Sequence, residues 1–548
     1  MEAAVMAASA AAEAAKEAAS AASAAAAAAV KDVATAKETL ATASASALHA
    51  KEAAAAAATA GEAAVAAVAA VAAAMRASKK RKFHLVDDDQ GSPESEDVDF
   101  ISSLPDAILG IIISLLPTKD GVRTQAISRR WRPIWRSTPL TLVADRELMS
   151  NGHMTINSIK KILSEHPGPA HCFSLNLFTR DCYEKIEGWL SSQALNNLQE
   201  LELTYNLWFR DVVNQLFLLP SSVFRFAPTL RVAKFYGCHF PDLVVQLSLK
   251  FPRLKQLALE RVTISEDALQ SILSGCASLE SLVLKDSYGF GRLCISSKTL
   301  KCLGFCAGYR RRDVVLQELV IEDAPCLERL LPLNSEYGPA TIRVISAPKL
   351  KILGMICEKI AELQFGTTVF QKMIAVSLTT RMRTVRVLVL VSAGPNLDTV
   401  INFLKCFPCL ERLYVILDSQ SGMGTDNVRK YDPLDPIECF ELHLKEVVLK
   451  DYDGTKKPSI EFTKFFILNA KVLKEMKITL PYHRQHTWFA KQRKMLQIKN
   501  RASGDARIEL KCGTYGYFTH NGHIHDLSMA DPFDIPSSRC SNCCCGPF

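Results

Sequence analysis

The 548-residue sequence lacks a run of about 20 strongly apolar residues, the length that a membrane-spanning helix needs. The longest candidate, residues 63–75, is shorter and consists mostly of Ala. The start of the chain also lacks a basic segment followed by a strong apolar core, and acidic residues are scattered through it. We therefore expect no membrane association, no secretory signal and no organelle transit peptide.

Glycine-rich phosphate-binding loops are missing as well. Neither G-x-G-x-x-G nor G-x-x-x-x-G-K occurs in the sequence. A nucleotide-binding enzyme built on a parallel sheet would need such a turn after one of its strands. No other group of residues suggests a catalytic constellation. We expect that the protein is not an enzyme and that it has no cofactor.

Paired cysteines of the disulfide-scaffold type are also absent. The 17 Cys are mostly single and stand at apolar positions, which is typical of free thiols in a reducing compartment. Cys406 and Cys409 form a C-x-x-C, but we interpret both as core thiols. The tail contains three His, Cys540 and the run 543–545, and such donors could bind zinc. Three adjacent Cys cannot easily supply three ligands, so we expect no metal.

Positive charge is not pervasive, although the formal net charge is +8. The first 100 residues contain 9 Lys and Arg against 14 Asp and Glu, whereas residues 484–511 contain 8 against 2. Trp488 and Phe489 lie in this basic stretch, and basic residues with aromatics suit nucleic acid. An amphipathic surface helix fits the stretch better, so we do not expect a nucleic-acid partner. The arginines at 310–312 and around 381–386 could bind a phosphate-rich ligand, but we favour a solvated face.

Alanine dominates the beginning of the chain, where residues 1–78 contain 43 Ala. Because Ala favours helix but buries little area, this segment predicts fluctuating helix or disorder. Residues 79–98 form a charged linker that starts with Lys79, Lys80, Arg81 and Lys82. This basic cluster predicts a nuclear localisation signal, with a solvated charge run as the alternative. We expect the protein in the nucleus, the cytoplasm or both.

Residues 99–140 have the pattern of three short helices. Ser103 is the expected N-cap of the first helix, with Pro105 in its first turn. Apolar residues then follow at spacings of three and four as far as Leu116. Pro117 ends this helix, and Thr118 can cap the second. The apolar side chains exceed what so small a core can hide, which indicates a partner interface.

This segment resembles an F-box, because LPDAIL, SLLPTKD, VRT and SRRWRPIW occur in the order and spacing of that family. Gly121 and Gln125 are two small departures from the family pattern. The resemblance implies a surface that binds the Skp-type adaptor of a cullin-RING ubiquitin ligase. The residues at the matching positions, and hence the expected adaptor-binding residues, are Leu104, Pro105, Ile108, Val122, Ile127 and Trp131.

The pattern L-x-x-L-x-L recurs through residues 141–436. Units that start at residues 230, 254 and 279 are 24 and 25 residues apart, which is the length of a leucine-rich repeat. Each unit predicts a short strand whose Leu side chains enter a continuous core, followed by a return segment such as an amphipathic helix in 264–276. The stacked strands would present a surface to an unidentified target protein. Candidate residues on it are Glu202, Thr204, Glu260 and Lys285.

Residues 437–511 continue the strand rhythm and end in the helix-like WFAKQRKMLQIKN and in RASGDARIEL. This block resembles the FBD domain that follows F-boxes and irregular leucine-rich repeats in a large plant family. The three resemblances together cover about residues 99–511. The remaining tail, 512–548, is predicted to be disordered.

The predicted fold class is α/β: a three-helix F-box, then an irregular leucine-rich-repeat horseshoe that continues into an FBD domain. The resemblance implies the substrate-recognition subunit of an SCF (Skp-cullin-F-box) ubiquitin ligase. Its F-box would bind the adaptor, and its repeats and FBD domain would hold the target. The alternative is a protein-interaction scaffold outside a ligase, with a vestigial F-box.

Overall fold

The computed structural model describes a large part of the chain, and the described residues divide into two compact units with the boundary between Trp135 and Arg136. The described residues are 101, 104–116, 118–144, 156–166, 168–177, 180–205, 217–246, 249–309, 313–394, 396–417, 435–480, 486–512 and 524–534. The Ala-rich tract and the predicted nuclear localisation signal lie outside them. Within these ranges, every helix is too short or too polar to cross a lipid bilayer.

Three short helices, as the sequence predicted, form the first unit, and the third ends two residues past its boundary. They are α1 (Asp106–Leu115), α2 (Thr118–Arg123) and α3 (Trp131–Ser137), with a 3-10 turn at Thr124–Ala126. Apolar side chains of α1 and α3 form a small core of Leu109, Ile112, Ile113, Trp131 and Ile134.

Helix α1 begins later than the sequence predicted. Pro105 is its N-cap residue and makes no side-chain capping bond, so it does not lie in the first turn. Asp106 is the first helical residue, where a negative charge is favoured by the positive end of the helix dipole. The expected cap, Ser103, lies outside the described residues. Thr118, expected as the cap of the second helix, is instead the first residue of α2.

The second unit contains the remaining strands and helices. The strands are β1 (Leu140–Ala144), β2 (Ala170–Leu177), β3 (Glu200–Tyr205), β4 (Phe217–Leu218), β5 (Val232–Tyr236), β6 (Cys238–His239), β7 (Gln256–Glu260), β8 (Ser281–Ser287), β9 (Arg292–Ser296), β10 (Cys302–Ala307), β11 (Glu318–Asp323), β12 (Arg329–Pro332), β13 (Thr341–Val344), β14 (Ile352–Ile356), β15 (Glu362–Phe365), β16 (Thr368–Gln371), β17 (Ile374–Ser377), β18 (Val387–Gly394), β19 (Arg412–Leu417), β20 (Glu446–Lys450), β21 (Glu475–Leu480) and β22 (Arg507–Cys512). The helices are α4 (Ile156–Glu165), α5 (Arg180–Leu190), α6 (Leu243–Gln246), α7 (Glu266–Gly275), α8 (Leu397–Cys406), α9 (Glu438–Leu442), α10 (Lys457–Asn469) and α11 (His486–Met495).

Fourteen of these strands form one sheet in the order β1-β2-β3-β5-β7-β8-β10-β12-β14-β18-β19-β20-β21-β22. Neighbouring strands in it pair in parallel, as the stacked repeats predicted. Leu257 of β7 pairs with Leu282 of β8, and Leu259 pairs with Leu284, so equivalent repeat leucines lie side by side. Their side chains are buried in a single continuous core. The predicted α/β fold class is confirmed.

One of the strands that the repeat pattern predicted joins a different sheet. The unit around Leu319 and Ile321 forms β11, which belongs to a second, six-stranded sheet in the order β17-β16-β15-β13-β11-β9. Successive pairs from β9 to β15 are parallel, whereas β15, β16 and β17 are joined as antiparallel hairpins. A period of L-x-x-L-x-L specifies a buried strand but not the sheet that the strand joins.

The FBD-like block extends the same large sheet. Strand β20 pairs with β19 over five residues, and strand β22, formed by the end of the block together with Cys512, pairs with β21. Helix α7 confirms the predicted return helix after β7, and the side chain of Ser265 caps it by accepting a bond from the Ala268 amide. The basic stretch contains helix α11, as expected, and Leu496 after it is buried.

The tail is not disordered throughout, contrary to the prediction. Residues 524–534, called here the C-terminal segment, pack against the large sheet, where Ile524 and Asp531 are each only 5% exposed. The segment has no helix or strand period, so its order comes from contacts with a distant part of the chain and not from local propensity.

Candidate docking surfaces

The first unit exposes large apolar side chains around its small core. Ile108 is 42% exposed, Ile111 is 52% exposed and Ile127 is 48% exposed. Residues of this size are usually buried when they have only a packing role. Exposed apolar anchors of this kind are suited to a protein partner.

Five of the six predicted adaptor-binding residues are at least partly accessible. Pro105, Ile108 and Ile127 are exposed, whereas Leu104 and Val122 are half-buried. Leu104 also packs against the small core. The structure therefore leaves these five side chains available to a partner.

Trp131 does not share this property. It stands at the start of α3 with its ring directed into the small core beside Leu109 and Ile112, and it is only 1% exposed. Trp131 is therefore a core residue and not a surface residue, contrary to the prediction. Its large ring occupies much of a core that has few other large side chains. Ile112 and Leu116 are buried as well.

Arg130 holds the beginning of α1 in place and was not singled out from the sequence. Its Nε donates to Asp106 Oδ1 at 2.8 Å, and its Nη2 donates to the Leu104 carbonyl at 2.6 Å. It thus links the segment before α3 to the residues on both sides of Pro105. The only sequence signal was its place within SRRWRPIW, which does not distinguish it from its neighbours.

The large sheet has one face that meets the core and one that does not. Glu202 and Lys234 form an ion pair at 3.4 Å on the second face, and Glu260 and Lys285 form another at 3.6 Å. Glu202, Thr204, Glu260 and Lys285 are all half-buried, with the orientation away from the core that the repeat pattern predicted.

A row of alternating charges runs along the starts of the strands. The Glu280 carboxylate lies 2.8 Å from Lys255 Nζ and 2.7 Å from Lys301 Nζ. Hydrogen bonds from Lys255 and Lys301 lower the pKa of Glu280. Glu411 is similarly placed between Arg386 and Lys445, and hydrogen bonding to Lys445 lowers its pKa. These ion pairs join side chains at equivalent positions of neighbouring strands, and they therefore favour the observed register between repeats.

The C-terminal segment covers the middle of the face opposite the core. At one end, His525 Nδ1 lies 2.8 Å from Ser281 Oγ on β8. At the other end, the Asp531 carboxylate accepts from Tyr414 and Arg412 of β19 at 2.9 and 3.1 Å. Burial raises the pKa of Tyr414, so its hydroxyl stays protonated as a donor. The segment thus crosses from β8 to β19, which are six strands of the sheet counted inclusively.

The arginine cluster around residues 381–386 makes ion pairs with acidic neighbours. Arg383 binds the Glu438 carboxylate through two hydrogen bonds of 2.7 and 3.2 Å, and Arg386 donates to the Cys409 carbonyl at 3.0 Å. These contacts support a structural role over phosphate binding. The other cluster, residues 310–312, lies outside the described residues.

Among the described residues, Cys409, Glu438 and His443 offer donor atoms within 4.8 Å of one another. Because the Glu438 carboxylate is already paired with Arg383, a cation there would have to displace the guanidinium. We assign no metal to this group. Cys406 and Cys409 are buried free thiols, as expected.

The aromatic residues of the basic stretch are structural. Trp488 and Phe489 pack against the main core with their rings 5.5 Å apart. Gln492 is buried, accepts from the Tyr452 hydroxyl at 2.8 Å and donates to the Gly454 carbonyl at 2.9 Å. This arrangement agrees with the amphipathic surface helix that the sequence favoured over a nucleic-acid site.

Three family models match the chain in the order that the structure displays. An F-box domain matches residues 101–142, the LRR repeats of FBD-associated F-box protein At5g56370 match residues 186–415, and an FBD model matches residues 432–478. The chain therefore contains an F-box, leucine-rich repeats and an FBD domain, and the three matched models indicate no enzyme family.

Similar Arabidopsis thaliana proteins have the same domains in their names. F-box protein At5g03100 is 32% identical over 34% of this chain and 56% of its own length. F-box/FBD/LRR-repeat protein At1g13570 is 29% identical over 42% of this chain and 53% of its own length. Putative F-box protein At1g67390 is 21% identical over 76% of this chain and 91% of its own length.

The chain spans about half the length of the first two of these relatives. It contains the three kinds of domain that appear in the name of F-box/FBD/LRR-repeat protein At1g13570.

Proposed function

We propose that this protein is a substrate receptor of an SCF-type ubiquitin ligase, in which the F-box binds a Skp-type adaptor. The observation that carries the proposal is the set of accessible apolar side chains on the F-box, chiefly Pro105, Ile108 and Ile127. Their burial against a partner would supply most of the affinity, because large apolar anchors dominate protein interfaces.

The receptor would perform no bond chemistry itself. Its repeats and FBD domain would hold a target protein while the adaptor links the complex to the cullin and the conjugating enzyme. Such tethering raises the effective concentration of the target's lysines near the reactive thioester. The parallel sheet supports this role, since a stacked-repeat body provides one long surface for a partner.

Replacing two exposed anchors tests the adaptor interface. The double variant Ile108→Glu/Ile127→Glu should weaken binding of a purified Skp-type adaptor at least tenfold, because each substitution places an unpaired carboxylate in an apolar contact. Isothermal titration calorimetry of the full chain would measure the change. Both residues are exposed, so the variant should keep the wild-type melting temperature.

Ile345→Glu is the matched control, since Ile345 is 62% exposed and belongs to the second unit. It should leave adaptor affinity unchanged. Equal adaptor affinity for the wild type and the double variant would refute the proposed interface. A wild-type chain that binds the adaptor but supports no ubiquitylation of captured proteins in a reconstituted ligase would favour a scaffold instead.

A further inference from the structure

The C-terminal segment occupies a site that is shaped and charged to receive it. Arg329 of β12 is only 5% exposed, and its guanidinium donates to the carbonyls of Asp526, Leu527 and Met529. A buried guanidinium must have its donors satisfied, and here all three acceptors are main-chain carbonyls of the segment. Main-chain acceptors are available in any extended or turning peptide, whatever its sequence.

Two glycines make room for the segment's apolar side chains. A Cβ built on Gly354 of β14 would lie 2.6 Å from the Phe533 ring, and one built on Gly304 of β10 would lie 3.2 Å from Ile524. Glycine in the interior of a strand weakens the strand and marks a close approach by another group. Both strands therefore have a gap in the surface that the segment fills.

A carboxylate-binding pair lies beside the Phe533 position. Asp531 is 5% exposed and binds both Arg412 and Tyr414, and the ring of Tyr414 lies 5.9 Å from that of Phe533. Arg412 is also paired with Glu446, so the cation keeps a partner whether or not Asp531 is bound. This part of the face can exist without the segment.

We propose that this face is the target-binding groove of the protein, and that the C-terminal segment occupies it as an internal competitor. The target would be a peptide segment with an acidic residue two positions before an aromatic one. Its carboxylate would bind Arg412 and Tyr414, its aromatic ring would cover Gly354, and its main chain would bind Arg329. This inference rests on the proposed function as a target receptor.

Covalent attachment gives the segment its advantage over a free peptide. A tethered ligand acts at a high effective concentration. To displace the segment, a target must therefore bind the groove more tightly than an untethered peptide with the sequence of the segment would. The occupied groove would then discriminate against weak ligands. Variants that detach the segment should open the groove to peptides added in solution.

Binding of a synthetic peptide with the sequence of residues 524–534 tests the proposal. In fluorescence anisotropy, the labelled peptide should bind the full-chain variant Asp531→Asn/Phe533→Ala at least tenfold more tightly than it binds the wild type. The variant loses the segment's two anchors and keeps the groove intact. Ala530→Ser, at an exposed position of the segment, is the matched control and should behave as the wild type.

A second substitution locates the binding. Adding Tyr414→Phe to the opened variant should weaken peptide binding about tenfold, because the peptide's buried carboxylate loses one charge-assisted hydrogen bond. Failure of the peptide to bind the opened variant, equal binding to the wild type and the opened variant, or an unchanged affinity after Tyr414→Phe would each overturn the proposal.

The peptide assay contains no adaptor, so it separates this inference from the proposed function. Adding Ile108→Glu/Ile127→Glu to the opened variant should leave peptide affinity unchanged. If the opened variant failed to bind the peptide but the protein still bound the adaptor, only the inference would be refuted. Peptide binding with no adaptor binding in the wild type would refute the ligase role and leave the groove in place.

Discussion

At the scale of single residues, two glycines differ in whether their position could accept a side chain. Gly188 lies in helix α5 and is exposed, with open space where a Cβ would be, whereas Gly237 has φ +73° and a Cβ there would lie 2.5 Å from the Tyr205 carbonyl oxygen. The first position tolerates any helix-forming residue. The second needs glycine both for its backbone conformation and for the close approach.

Opposite effects of alanine at these positions are therefore expected. Gly188→Ala should raise the free energy of unfolding by about 0.5–1 kcal/mol, because it improves helix propensity and reduces the entropy of the unfolded chain. Gly237→Ala should lower it by more than about 1 kcal/mol, because it imposes strain and a clash. Urea denaturation of the full chain would measure both. A gain at Gly237 would contradict the assigned backbone conformation.

The C-terminal segment is the element whose docking should depend on pH. Burial lowers the pKa of His525 to about 4, with a smaller contribution from the positive charge of Lys234. Above pH 6.5 His525 is neutral whether the segment is docked or released. Between pH 6.5 and about 4 the released segment binds a proton that the docked segment excludes. Acid in this range should therefore favour release.

Hydrogen exchange of residues 524–534, corrected for intrinsic rates, would measure this equilibrium. Protection should fall as the pH is lowered from 6.5 towards 4, by up to about tenfold per pH unit. His525→Gln removes the titrating group and should flatten the profile over this range. A profile with the same slope in this variant would assign the effect to other groups, such as the carboxylates of the segment.

At the scale of the whole molecule, the repeats and the FBD domain share one sheet and one core. Val447 and Leu449 of β20 pair with Leu413 and Val415 of β19, and all four side chains are buried. A chain divided at residue 436 would cut this continuous structure. Because the sheet is uninterrupted at this point, we expect residues 136–512 to unfold as a unit.

Leu449→Ala tests this cooperativity. Truncating a fully buried Leu should lower stability by about 2–5 kcal/mol and shift the main thermal transition of the second unit. Differential scanning calorimetry should show that transition moving without splitting. Ile345→Ala, at an exposed position, should change it little. A separate early transition in the Leu449→Ala variant would show that the FBD domain unfolds on its own.

Much of the fold and part of the candidate site could be predicted from local patterns. Leu257 and Leu282 marked buried strands because their spacing fixes which side chains share a face. Exposed Ile108 and Ile127 could be expected because a three-helix domain cannot bury so many apolar residues. The position of Trp131 could not be predicted, because burial depends on how α3 turns against α1.

The sequence by itself determined the helical F-box, the buried strands of the repeats and their continuation into the FBD domain. These follow from side-chain periodicity, which acts between near neighbours along the chain. Only the tertiary structure decided that β11 joins a second sheet and that residues 524–534 lie across the face of the first. In the segment, His525 contacts Ser281 over a sequence separation of 244 residues and Asp526 contacts Arg329 over 197, and no local pattern encodes such a pairing. Gly304 and Gly354 mark positions where another group comes close to a strand, but a missing side chain does not identify that group.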